Sequence, residues 1–130
     1  MKLYEIDSVR TNNFSKDVGE KIGQLWSQVM SQVQNDDTVI YGIYHDYEND
    51  YHGDYTLTIA SEQKTVKRLL DIPSQKYELF PVDTTSEIGV IEAWQKVWSL
   101  EEESKIERTY QYDFEKYDLD GTVTLYIGIQ

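Results

Sequence analysis

At 130 residues with no cysteine, the chain is sized for one compact domain and excludes disulfides, a thiol nucleophile and a thiolate metal site. Asp and Glu number 24 against 12 Lys and Arg, a net charge of −12 that repels phosphate backbones and draws cations or basic partners. No apolar run reaches the length of a membrane span and the first residues lack a secretory h-region, so the expectation is a cytoplasmic chain without membrane or direct nucleic-acid binding.

Taken in order, Leu3 to Asn12 reads as a strand. Asp17 followed by Glu20 has capping-box character, and Val18, Ile22, Leu25, Trp26, Val29 and Val33 then recur at helical spacing, with Asn35-Asp36-Asp37 as the stop. Thr38 to Tyr47 and Asp54 to Ser61 form a predicted hairpin around the polar turn at 48–53. Glu62 to Gln75 lacks a pattern and is read as a link. Tyr77 to Val82 is a short strand whose Pro81 places it near a sheet edge. Thr84 with Glu87 suggests a second capping box, ahead of a stripe of Val90, Ile91, Trp94, Val97 and Trp98. Arg108 to Tyr117 and Thr122 to Ile129 close the chain as a hairpin around Leu119-Asp120-Gly121.

Both halves thus read strand, helix, strand, strand. An ungapped shift of 68 residues places Trp26 on Trp94, Val29 on Val97, Ser31 on Ser99, Tyr44 on Tyr112 and Asp50 on Asp118. The same shift places Gly53 on Gly121, Thr56 on Thr124, Leu57 on Leu125 and Ile59 on Ile127. These nine identities exceed the roughly four expected of unrelated segments and point to a repeated unit. The predicted fold is α+β: one domain over 1–130, built from two βαββ pseudo-repeats (about 1–62 and 69–130). It has antiparallel sheets, two helices and a cleft between the halves.

The stretch Arg108-Thr109-Tyr110-Gln111-Tyr112-Asp113-Phe114-Glu115-Lys116-Tyr117 carries the chemistry. Tyrosine offers a ring with a hydroxyl, and the chain holds 11 Tyr, 3 Trp and 3 Phe. A carboxylate among rings suits a flat, apolar, positively charged guest, because pairing offsets the cost of burying the charge and ring faces add cation–π attraction. Alternation puts Glu115 on one strand face with Thr109, Gln111, Asp113 and Tyr117, leaving Phe114, Tyr112 and Tyr110 for a sheet–helix core. Trp94 has claims both as core and as cleft wall, and Trp26 shares the core claim. Tyr44 and Tyr47 open the first hairpin, with Tyr47 aligned on Glu115 by the repeat; Tyr126 and Phe80 complete the candidate lining. His45 and His52 lie among acidic residues, but the spacing matches no zinc or calcium motif and reads as a flexible acidic turn. No phosphate loop, nucleophile elbow or cofactor motif occurs, so no cofactor is expected.

Ile22-Gly23-Gln24-Leu25-Trp26, Tyr44-His45-Asp46-Tyr47-Glu48-Asn49-Asp50, Trp94-Gln95-Lys96-Val97-Trp98, the Arg108 stretch and Leu125-Tyr126-Ile127-Gly128-Ile129 together resemble the GyrI-like small-molecule-binding domain. That domain is also the effector-binding module of AraC-type and MerR-type multidrug regulators. The resemblance implies a duplicated βαββ fold and a cleft for bulky, often cationic aromatic compounds, with an acidic residue matching Glu115. Ala60-Ser61-Glu62 departs from the family's usual glycine there. The pattern begins at residue 3 with no DNA-binding segment ahead of it, which favours a free-standing sensing or sequestering binder. Two alternatives remain at this level. Some GyrI-like proteins hydrolyse cyclopropane-bearing electrophiles, a reaction in which Glu115 would be the general base. An acidic module for a basic protein partner, as yet unidentified, is the other.

Overall fold

In the computed structural model the described residues are 1–32 and 38–130. Their elements run β1 (Lys2–Asn12), α1 (Val18–Gln32), β2 (Ile40–His45), β3 (Asp54–Ser61), β4 (Leu69–Asp71), β5 (Lys76–Pro81), α2 (Gly89–Glu102), β6 (Tyr112–Tyr117) and β7 (Val123–Ile129). Val33 and the Asn35-Asp36-Asp37 stop lie outside the described residues. The strands form one antiparallel seven-stranded sheet in the order β4-β1-β3-β2-β6-β7-β5. The orders β1-β3-β2 and β5-β7-β6 mirror each other across the β2–β6 seam.

The sheet is curled into a half-barrel. Its outer strands β4 and β5 are six strand spacings apart by order, about 29 Å if the sheet were flat. Yet only residues 72–75 separate them, and five steps of extended chain from Asp71 to Lys76 reach about 17 Å. The link therefore runs as a chord across the hollow of the curl. The hollow is filled by Leu3, Tyr41, Ile43, Ala60, Leu70, Ile72 and Phe114. Ile72 N–H donates to the Met1 carbonyl at 2.8 Å, and Gln75 Nε2 donates to the Tyr112 carbonyl at 2.8 Å, fixing the chord at both ends.

Both helices pack on the other face. Leu25 and Val29 of α1 cover Ile40, Leu57 and Ile59; Ala93, Trp94 and Val97 of α2 cover Phe80, Leu125 and Ile127. The sheet is thus apolar on both sides, which overturns one expectation. Phe114 and Tyr112 face the closed hollow instead of a helix, and Tyr110 precedes β6 with a left-handed backbone, φ 56°. The ungapped repeat register also fails in this strand: Tyr44 faces the helices whereas Tyr112 faces the hollow.

Other boundaries shift for local reasons. β4 was hidden inside the link, being three residues long and held only along β1. Arg108 to Gln111 is not strand, apart from one bridge from Arg108 to Ile129. The Thr84–Glu87 box does not cap α2: the helix starts at Gly89, and its N-cap Ile88 makes no side-chain bond. β5 is an edge strand ending in Pro81, as read from the sequence. Gly121 takes φ +89° in the last hairpin, a conformation glycine adopts without a Cβ clash.

Candidate functional site

Between α1 and α2, above the β2–β6 seam, lies a cavity of about 500 Å³. Ile22 and Trp26 line it from α1; Val90, Trp94 and Trp98 line it from α2. The sheet supplies Tyr44, Tyr55, Glu115 and Tyr117, and the loops supply Tyr47, Tyr51 and Arg108. The helical residues come from the i, i+4 spacing that forms each stripe, which sets Trp26 above Ile22 and Trp98 above Trp94.

Glu115 forms part of the cavity wall and is only 2% exposed. Strand alternation aims it at the helices, and its β2 partner is Gly42. A Cβ on Gly42 would stand 3.3 Å from Glu115 Oε1 and 3.4 Å from the Trp26 ring, so the absence of a side chain there makes room for the carboxylate. Three neutral donors converge on it. Tyr44 Oη and Trp94 Nε1 each donate to Oε2 at 2.8 Å, and Tyr117 Oη donates to Oε1 at 2.6 Å. Burial raises the pKa of Glu115, and these three hydrogen bonds, to the charged form, work against that rise. In return, burial and the adjacent carboxylate push the Tyr44 hydroxyl well above its ordinary pKa. Among the described residues no cation pairs with Glu115.

A second polar cluster, centred on Asp113, reaches the same cavity through Arg108 and Tyr47. Asp113, fully buried, accepts from Arg108 Nη2 at 2.8 Å, from Tyr47 Oη at 2.5 Å and from the Gly128 N–H at 2.8 Å. Arg108 also reaches Glu101 at 3.4 Å, and Tyr110 donates to that same Glu101. The guanidinium lies 4.3 Å from the Tyr110 ring centre and 5.7 Å from that of Trp94. Burial pulls the pKa of Arg108 down, but Asp113 and the neighbouring tyrosines outweigh it and hold the group charged. Trp94 therefore meets Glu115 at its Nε1 edge and Arg108 over its ring.

Of the residues singled out in the sequence, Glu115, Trp94, Tyr44, Tyr47 and Tyr117 all border the cavity. Tyr47, aligned on Glu115 by the repeat, bonds Asp113 instead. Tyr126 and Phe80 do not line it. Tyr126 pairs with Phe114 across β6–β7 and stacks on it at 4.6 Å, on the hollow side; Phe80 is buried under α2. His45 is no part of a flexible turn: it is 2% exposed in β2, where Nε2 meets Thr58 Oγ1 at 2.8 Å and burial lowers its pKa. Sequence reasoning missed Arg108, Trp98, Tyr51, Tyr55 and Gly42. Trp98 had a signal, standing one helical turn after Trp94.

No helix of the described residues is long and apolar enough to cross a membrane. The family model described as Cass2, integron-associated effector binding protein, matches residues 7–129. The proposed transcriptional regulator protein YobU of Bacillus subtilis (strain 168) is 31% identical over 115 residues, 77% of this chain and 68% of YobU. The crystal structure of the integron cassette protein VCH_CASS2, from the mobile metagenome of Vibrio cholerae, superposes with a TM-score of 0.83 at 25% identity, covering 100% of this chain and 90% of that one. A curled seven-stranded sheet with two helices is accordingly shared with a solved relative, and the chain belongs to the Cass2 family of effector-binding proteins, a GyrI-like family.

Proposed function

We propose that this protein binds bulky, hydrophobic small molecules carrying a positive charge on a planar aromatic system, and that it senses or sequesters them. The observation behind this reading is the state of Glu115: a buried carboxylate in an aromatic cavity, held by three neutral donors and without a countercharge among the described residues. A buried carboxylate costs several kcal/mol in desolvation, and an incoming cation recovers part of that cost. The cavity falls within the range of about 300–1,000 Å³ usual for small-molecule sites. Rings facing a cation add about 0.5–2 kcal/mol each. Stacked area supplies most of the affinity in this scheme, and the charge supplies selection.

Hydrolysis asks more of Glu115. A carboxylate has about four acceptor positions and three are occupied here, leaving one for a water.

The test titrates a phenanthridinium dye while following tryptophan emission, in the wild type and in Glu115→Gln. Glutamine fits the site: its oxygen accepts from Tyr44 and Trp94, while its amide donates to a turned Tyr117 hydroxyl. The expected result is a 10- to 100-fold loss of affinity, about 1.4–2.8 kcal/mol. Equal affinity in the two proteins would remove Glu115 from the scheme.

A further inference from the structure

The cavity holds a second feature that a simple aromatic cation leaves unused. Arg108 has a side chain only 1% exposed and Trp98 has a buried indole nitrogen, and both border the cavity. Arg108 spends Nη2 on Asp113 and Nη1 on Glu101, yet its Nε–H meets no acceptor among the described residues. Trp98 Nε1–H meets none either. Its ring neighbours are Tyr51, stacked at 5.4 Å, and Trp94, tilted at 6.4 Å. Arg108 and Trp98 are thus gathered around the same indole, Trp94, whose Nε1 edge is already given to Glu115.

A buried N–H without an acceptor is destabilising, and natural structures rarely keep two together. Both side chains line the cavity while the two nitrogens themselves are covered, so a small turn of the indole or the guanidinium presents its donor to an oxygen brought by a ligand. The charge of that oxygen is constrained too. Arg108 is already matched by Asp113 at 2.8 Å and Glu101 at 3.4 Å, and Glu115 borders the same space. An anionic ligand group would meet three carboxylates and one guanidinium; a neutral oxygen would not.

Building on the cation reading, we infer that the ligand is two-ended: its positive aromatic part faces Glu115, and a neutral oxygen acceptor of the carbonyl or amide kind engages the free N–H groups of Arg108 and Trp98. The two donors then act as a specificity device, separating carbonyl-bearing aromatic cations from plain ones of the same size.

The test uses three probes of one ring framework: a cation with a ring carbonyl, the same cation with methylene in its place, and the neutral carbonyl compound. Affinities are measured by calorimetry on the wild type, on Trp98→Phe, and on protein carrying benzothienylalanine at position 98, which keeps the ring shape without the N–H. The carbonyl cation is expected to bind the wild type about tenfold tighter than the methylene cation, the value of one buried hydrogen bond. At least one of the two position-98 proteins should narrow that gap by about threefold or more, with little change for the methylene cation. Equal binding of the two cations by the wild type overturns this inference and leaves the Glu115 reading intact. A gap that survives in both position-98 proteins overturns the role of Trp98. Binding of the neutral carbonyl compound when neither cation binds supports the donor pair and sinks the cation reading.

Discussion

Asp113 and Glu115 stand two residues apart on one face of β6, both are buried, and each accepts three hydrogen bonds. They differ in one respect. Asp113 has a guanidinium at 2.8 Å, whereas Glu115 has two phenols and an indole. A charge with a fixed partner is a piece of architecture, tying the Arg108 loop and Tyr47 to the sheet. A charge stabilised only by neutral donors is held ready for a partner from outside. Neighbouring positions of one strand thus differ in whether their charge is matched among the described residues, and under the proposed function the unmatched one receives the cationic ligand.

Breaking the architectural member should have the largest effect. Asp113→Asn leaves Arg108 buried beside an amide, and removing one partner of a buried ion pair costs about 3–5 kcal/mol. Urea unfolding checks it; a loss below about 1 kcal/mol would mean that the two carboxylates do not differ as described.

Glu115→Gln should do the reverse to stability, because no ion pair is lost. Burial raises the pKa of Glu115, so the folded state favours the protonated acid. The stability contributed by that proton is fully present below the ordinary carboxylate pKa and is lost as pH rises through the raised one. The glutamine protein should therefore gain on the wild type as pH climbs through that window, and unfolding curves at a series of pH values read the difference directly. Affinity for a permanently charged dye should follow the same window with the opposite benefit, rising with pH as Glu115 ionises and then levelling off. An affinity that falls with pH there would assign the titration to another group.

The smallest effect belongs to Gly42→Ala. The added methyl group meets Glu115 Oε1 at 3.3 Å and Trp26 at 3.4 Å, a crowding both side chains can relieve by small shifts. A several-fold loss of dye affinity, with a stability change within about 1 kcal/mol, is expected by fluorescence titration and unfolding. Unchanged affinity would show that the space opposite Glu115 has no bearing on the cavity.

The elements that could be read from sequence were those whose pattern outlasted their surroundings. The period-2 run through Asp113, Glu115 and Tyr117 placed Glu115 on its face, and the stripes through Trp26 and Trp94 placed the helices. Arg108 was illegible for a local reason. Continued alternation sets it on the face of Phe114, but the positive φ of Tyr110 ends the strand and lets Arg108 come round to Asp113 and the cavity. Tyr126 was misplaced because its role depends on its neighbours: with Leu125 and Ile127 under α2, it must face the hollow. The hollow itself depends on β4 and on the short chord to β5, neither of which has a periodic signature.

The most direct measurement pairs a planar N-methylpyridinium-type aromatic with its neutral carbon isostere, and compares their dissociation constants on the wild type and on Glu115→Gln. The wild type should prefer the cation by at least about tenfold and the glutamine protein should show little preference, a coupling of about 1.4 kcal/mol or more. The same preference in both proteins, or none in the wild type, would contradict the claim that Glu115 awaits a cation.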